Sequence, residues 1–388
     1  MGCTIIGSGK SLPPLTVEND DLTALVDTSD EWIRQRTGIH RRHISVAESG
    51  TDLAEAAARE ALGWGRSDAL SSVIATPGLM PAEAIDPASI DLLVYSTITP
   101  DTLVPSAASM LRRRLGLDRA AAFDVNAACT GFIYALSLAE NMLAASACAA
   151  DQGVGRPTMR RALVVASERL TRITNWADRN TCVLFADGAG AAVVEWNPDR
   201  PGIRSFYLRN DDDPHNALTC PAAYDSVIPF ATDGVTPEAM AEGNRALDSC
   251  DPALAQLDAE LEVDDLVAEG RPRQSLYMHG QRVFKFATHA MVEAVEHVLD
   301  QAGLALDDVK VFVPHQANER IIAYAAKKLG VPIERFQLSI AEWGNVSSAC
   351  VPMALADAYA SGRIQPGDNV VLVAFGGGFT SGAVLFEA

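Results

Sequence analysis

Short apolar runs alternate with longer helical segments along most of this chain. The runs at 92–95, 121–125, 163–166, 311–313 and 370–374 have strand length, and such runs fit strands buried inside a sheet. The segments 51–62, 131–145, 287–301, 319–329 and 351–360 are long enough for helices. This alternation predicts an α/β fold, a largely parallel sheet flanked by helices.

The pattern also repeats. Ile-Asp-Leu-Leu-Val-Tyr-Ser-Thr at 90–97 resembles Asp-Val-Lys-Val-Phe-Val-Pro-His at 308–315, each an apolar strand after an acidic lead-in. Phe123 opens a unit of strand, Cys129, long helix and strand that closes on Phe185-Ala-Asp-Gly-Ala-Gly190. Phe336 opens a similar unit that closes on Phe375-Gly-Gly-Gly-Phe379. Two copies of one βαβαβ-type unit account for this, 1–196 carrying the cysteine and 197–388 the later motifs, with an insertion around 211–273. That acidic stretch and the Pro- and Ala-rich stretch 71–87 read as surface insertions or lids, since long irregular segments in compact domains are usually functional.

Composition narrows the function classes. At 388 residues the chain exceeds one core and can enclose a site. Its net charge of −19 argues against a nucleic-acid partner, which needs a basic footprint. An acidic protein partner would need a local basic patch standing against that background. The seven cysteines are scattered without a C-x-x-C pair, which suits a reducing compartment. No signal peptide is evident, and no apolar run approaches the ~18 residues that span a bilayer. A soluble, cytoplasmic protein with no membrane partner is the expectation.

Three residues stand where chemistry is expected. Cys129 falls between a strand ending near Asn126 and a long apolar helix starting near Thr130. The positive end of a helix dipole favours thiolate and lowers a cysteine pKa, as a nucleophile requires. A buried structural cysteine is the plainer reading. The other six cysteines lack this context and read as inert. His315 follows an apolar strand, at the carboxyl end where α/β sites form. Asn345 sits in the matching loop of the next unit, although an Asn beside Gly is by itself usually a turn residue. Gly376-Gly377-Gly378 lacks the spacing of a dinucleotide loop and reads better as close backbone approach, with N–H groups for an oxyanion. Gly9-Lys10-Ser11 mimics the end of a nucleotide-binding loop, but Pro13-Pro14 forbids the helix that must follow. The remaining histidines show no metal spacing, so no metal is expected.

Taken together, these motifs resemble the β-ketoacyl-acyl carrier protein synthase III family, the initiating ketosynthases of the thiolase-like superfamily. The resemblance rests on Asp27-Thr-Ser-Asp-Glu-Trp-Ile33 with Arg36-Thr-Gly38, the Cys129 turn and Phe185-Ala-Asp-Gly-Ala-Gly190. It extends through Val283-Phe-Lys-Phe286, Pro314-His-Gln-Ala-Asn318, Gly344-Asn345 and Ala374-Phe-Gly-Gly-Gly-Phe379. It implies a thiolase-like fold of two pseudo-symmetric halves in a five-layered α-β-α-β-α core, and a homodimer. It also implies an acyltransferase that loads an acyl group from acyl-CoA onto Cys129 and condenses it with malonyl-acyl carrier protein. His315 and Asn345 are then the donors to the enolate, and the N–H groups of Cys129 and Gly377 the oxyanion hole. Acyl-CoA and malonyl-acyl carrier protein are substrates, and no cofactor is implied.

Further residues follow from the same resemblance. Thr28, Trp32, Arg36 and Arg179 match the coenzyme A site, Trp32 and Arg179 sandwiching the adenine. Lys285, Arg320, Lys327 and Lys328 match a docking face for the carrier protein. Val104 and Phe375 match acyl-pocket positions, Val104 reaching across the dimer. Asn345 distinguishes the initiating type from the Cys-His-His of elongating ketosynthases and the Cys-His-Cys of thiolases. A related acyltransferase or a starter-unit ketosynthase of polyketide or quinolone metabolism is the alternative reading.

Overall fold

The computed structural model describes residues 2–153, 158–213, 215–222 and 275–388. In the first part of the chain these form β1 (Gly2–Leu12), β2 (Leu15–Glu18), α1 (Asp30–Thr37), β3 (Arg41–Ile44), α2 (Gly50–Ala61) and β4 (Ile74–Pro77). There follow β5 (Leu92–Ser96), α3 (Ala107–Arg114), β6 (Ala121–Val125), α4 (Gly131–Asp151), β7 (Arg161–Arg169), α5 (Arg179–Cys182) and β8 (Asp187–Asn197). The second part holds β9 (Ile203–Asn210), β10 (Leu218–Thr219), β11 (Tyr277–Met278), α6 (Gly280–Ala302), β12 (Val309–Pro314) and α7 (Glu319–Leu329). It ends with α8 (Ile340–Trp343), α9 (Cys350–Ala360), β13 (Asn369–Gly376) and β14 (Thr380–Glu387).

Two sheets organise the chain, ordered β4-β1-β8-β7-β5-β6 and β12-β13-β14-β9. The run β1-β8-β7-β5 corresponds to β9-β14-β13-β12, and a parallel bridge from Phe312 to Phe336 stands where β6 pairs with β5. The sequence repeat is therefore also a repeat of topology. The sheets are mixed, which corrects the expectation of a largely parallel one. β5 pairs in parallel with β6 and β7, and β12 with β13, whereas β8, β1, β4, β14 and β9 join antiparallel. Between β13 and β14 only Gly377, Gly378 and Phe379 intervene, too few for a parallel crossover.

Alternate strand residues face opposite layers. Leu92 and Val94 point into a central cluster with Phe132, Ile133 and Leu136 of α4 and Val351 and Leu355 of α9. Leu93 and Tyr95 face α2 and α3 instead. On the far side, α6 and α7 cover the second sheet, with Met291, Val295 and Ile322 packed on Phe312 and Val371. The result is five layers, α-β-α-β-α, with α4 and α9 in the middle. Each large aliphatic side chain buried there contributes roughly 1.5–3 kcal/mol.

Two sequence expectations change. By length and composition, Ala128–Asp151 is one helix long and apolar enough to cross a membrane. Ser137, Glu140, Asn141 and Ser146 interrupt it and hid this from a search for an unbroken apolar run, and eight residues of α4 are buried in the middle layer. Residues 71–87 are no lid: β4 is an edge strand on the end of β1, with Val73 and Ile85 buried beside it. An edge is where a strand tolerates Pro77. Of 211–273, residues 211–213 and 215–222 are described, and β10 within them pairs with β11. The rest of that expected insertion lies outside the described residues.

Candidate active site

The two middle-layer helices start in the same way. A 3-10 turn, Ala128–Thr130, leads into α4, and another, Ser347–Ala349, leads into α9. Ala128 has φ 45° and Ser347 φ 48°. Non-glycine residues in this left-handed region cost on the order of 1–3 kcal/mol and concentrate at functional sites. The turns meet: Ser347 Oγ donates to Cys129 Sγ at 3.4 Å. Gly376 has to be glycine here, since a Cβ on it would lie 2.7 Å from the Cys129 nitrogen.

Cys129, His315 and Asn345 line one cavity of about 910 Å³, together with Ser347, Phe375 and Gly377. That volume suits a ligand of thioester size. His315 is held by its backbone N–H, which donates to Val373 O at 2.8 Å, and its ring meets Phe375 edge-on at 5.3 Å. It is 1% exposed and its Nδ1 has no partner. Burial pushes the imidazole down to about 3, so it is neutral at physiological pH. Asn345 is fastened by its own N–H to Leu184 O at 3.0 Å and by Ala186 N–H to its carbonyl at 2.9 Å. Its Oδ1 accepts from Ser347 N–H at 2.9 Å, which occupies the acceptor side of the amide and leaves the NH₂ side for a ligand.

The thiol departs from expectation. Burial pushes Cys129 up to about 11; Ser347 and the Cys129 backbone N–H pull it down, and Glu168 adds to the rise. By surface area Cys129 is half-buried, and the rise comes from the loss of water around its sulfur. The cavity thus brings together a thiol, a neutral imidazole and a carboxamide.

The other expected residues fall into groups. Arg179 stacks on Trp32 at 4.0 Å, and Arg36 stands 5.9 Å from the same ring. Thr28 is half-buried, its hydroxyl without a partner. None of these four lines the cavity, but Asn318, which does, donates its amide to Arg36 O at 3.0 Å. Lys285, Arg320, Lys327 and Lys328 are all exposed, on α6 and α7. These helices meet through Phe284 and Tyr324, and Phe284 and Ile321 line the cavity. Val104 is 88% exposed and is absent from the cavity lining.

Sequence reasoning missed Ser347, Glu168 and Cys220. The first follows Gly344-Asn345 by two residues, a spacing that could have marked it. Cys220 lines the cavity although it was set aside as inert. Cys250 lies outside the described residues.

Comparison with known proteins gives a consistent picture. Residues 123–212 match the family described as 3-oxoacyl-[acyl-carrier-protein (ACP)] synthase III, and residues 299–388 match its C-terminal counterpart. The chain is 39% identical to a β-ketoacyl-[acyl-carrier-protein] synthase III from Methylococcus capsulatus, over 99% of this chain and 98% of the relative. It superposes on the crystal structure of 3-oxoacyl-[acyl-carrier-protein] synthase III from Aquifex aeolicus VF5 with a TM-score of 0.75, at 32% identity over 100% of both chains. It is equally similar to the priming β-ketosynthase from the R1128 polyketide pathway, with a TM-score of 0.76 and 31% identity over 100% of this chain and 96% of that one.

Proposed function

The chain belongs to the 3-oxoacyl-[acyl-carrier-protein] synthase III family of condensing acyltransferases, and on that premise we propose that Cys129 carries the acyl group while His315 and Asn345 stabilise the attacking enolate. The observation that carries this reading is the convergence of a helix-start thiol and two neutral donors on one cavity. Cys129 sulfur attacks the thioester carbonyl of acyl-CoA, the N–H groups of Cys129 and Gly377 receive the oxyanion, and coenzyme A leaves with the thiol proton. Malonyl-acyl carrier protein enters next. Its carboxylate leaves as carbon dioxide, and the electron pair becomes an enolate whose oxygen takes hydrogen bonds from His315 and Asn345. The enolate carbon attacks the acyl-Cys129 carbonyl, and the sulfur departs to leave a β-ketoacyl-carrier protein. Intact-mass measurement with a panel of acyl-CoA thioesters tests this: an acyl increment on Cys129 is expected, discharged by malonyl-carrier protein. No increment from any thioester would sink it.

Arg179 lies directly on Trp32 at 4.0 Å, so an adenine held between the indole face and the guanidinium has to part the two, with Thr28 and Arg36 beside them. The unpaired spacing of the seven cysteines supports a reducing, cytoplasmic setting for a working thiol. The matched topologies support 1–196 and 197–388 as duplicated halves.

The basic residues of α6 and α7 form the docking face for the acidic carrier protein. Arg320 and Lys327 lie seven apart and hence on one side of α7. Charge reversal at either raises KM for malonyl-carrier protein several-fold and spares loading from acyl-CoA. The effect shrinks at high salt, because exposed charges are screened over ~8–10 Å. Unchanged carrier-protein kinetics at low salt would remove this face from the docking reading.

Exposed Leu103 and Val104 support a homodimer in which Val104 closes the partner's acyl pocket. Valine there leaves a deep pocket, and each methylene buried contributes about 0.8 kcal/mol. Medium-length or branched primers therefore load faster than acetyl-CoA, and Val104→Phe reverses the order. Initial loading rates for acetyl-, isobutyryl- and hexanoyl-CoA decide this; a wild-type preference for acetyl would refute it. The likeness to a polyketide priming ketosynthase favours a second reading, in which the same reaction supplies a starter unit. The preferred primer and the accepting carrier protein separate the two.

A further inference from the structure

Glu168, the penultimate residue of β7, is fully buried in the middle of the molecule. Its carboxylate is held by hydroxyls and a backbone amide instead of a cation. Ser348 Oγ donates to Oε1 and Thr99 Oγ1 to Oε2, both at 2.7 Å; Thr97 Oγ1 and Ile98 N–H reach Oε2 at 3.2 and 3.1 Å. Burial pushes the group up to about 7 against the pull of these donors. A buried carboxylate is costly unless its lone pairs are filled in this way.

The donors come from two places that matter. Thr97, Ile98 and Thr99 follow β5 and form part of the cavity wall. Ser348 belongs to the turn that carries Asn345 and Ser347. The start of α4 abuts both, since a Cβ on Gly131 would lie 1.9 Å from Ser96 Oγ and 3.4 Å from Ser348 Cβ. Ser347 keeps its φ of 48° only if its surroundings hold it there, and the Ser348–Glu168 hydrogen bond grips the adjoining residue.

We propose that Glu168 is a positioning residue for condensation: through Ser348 it fixes the turn bearing Asn345 against the cavity wall at 97–99, and so places the Asn345 amide where the enolate forms. This rests on the role given to Asn345 above. Misplacing a reacting group by about 1 Å can cost on the order of 100-fold in rate.

The test compares Glu168→Gln, Ser348→Ala, the double variant and Asn345→Ala in two assays, acyl loading of Cys129 by intact mass and condensation with malonyl-carrier protein. Glutamine keeps the volume but cannot accept from all four donors. Glu168→Gln is expected to load within about threefold of wild type and to lose at least about tenfold in condensation kcat, with KM for malonyl-carrier protein unchanged. The double variant is expected to be no slower than the more impaired single variant, because both single changes act through the same Ser348–Glu168 contact. Equal losses of loading and condensation in Glu168→Gln, or single effects that multiply in the double variant, would overturn the proposal. The two readings fail differently. If Asn345→Ala slows both steps alike, the role of Asn345 falls; if it separates them and Glu168→Gln does not, only the positioning role of Glu168 falls.

Discussion

Cys129→Ala abolishes acyl loading while the protein stays folded. The side chain removed is small, and among the described residues its side-chain hydrogen-bond partner is Ser347 at 3.4 Å, so the stability loss should fall near the centre of the usual range, about 1 kcal/mol. Among the other described cysteines, only Cys220 shares the cavity with Cys129. Cys3 and Cys182 are buried and pushed up to about 12 and about 11, and Cys350 is buried and pushed up as well. Cys148 is exposed but does not line the cavity. Cys220 does, which makes it the residue to watch. Intact mass and a thermal melt check the expectation, and an acyl increment on Cys220 or elsewhere in the variant would refute the assignment. The raised pKa adds a sign. With the thiol near 11, the thiolate fraction grows about tenfold per pH unit below that value. Alkylation of Cys129 by iodoacetamide should then keep accelerating through pH 9, whereas a plateau below pH 7 would mean that the helix start outweighs burial after all.

His315→Ala and Asn345→Ala split the reaction. Loading on Cys129 persists in both, while condensation falls on the order of 100- to 1,000-fold, the typical cost of one lost oxyanion donor. Ser347 beside them is no substitute: its hydroxyl donates to Cys129, and its backbone N–H is spent on Asn345. Loading and condensation falling in equal proportion would show that the roles are not separate. The pH dependence sharpens the case for His315. Burial holds it down to about 3, so it stays neutral, and its charge state does not change, from pH 5 to 9. The condensation rate should therefore show no inflection near 6.5, the ordinary histidine value. An inflection there that vanishes in His315→Ala would mean that the ring ionises during turnover.

Much of this was legible along the chain. The strands β5, β7, β12 and β13 are buried on both faces, so they read as unbroken apolar runs. Helix α7 matches its expected bounds residue for residue, with Asn318 capping its start and Gly330, at φ 70°, its end. Strand β1 escaped notice because Gly7, Gly9, Ser8 and Ser11 break its apolar pattern. Yet a Cβ on Gly7 would meet Ala61 O at 2.1 Å, and both serines are buried. Strand direction was also illegible, since periodicity reports which face is buried and not which neighbour a strand pairs with.

The site divides along the same line. Cys129 and His315 stand out by local context, a helix start and a strand end, whereas Asn345 beside Gly reads locally as a turn residue and stands out only through the family resemblance. The sequence by itself pointed to those positions and to the repeated pattern, and its family resemblance pointed to the kind of chemistry. Only the tertiary structure decided the state of the thiol and the partners of Glu168. Glu168 meets Ser348 across 180 positions of chain, and Cys129 meets Ser347 across 218. A pKa is set by what surrounds a group in space, and the walls around Cys129 come from segments that no local pattern links to it.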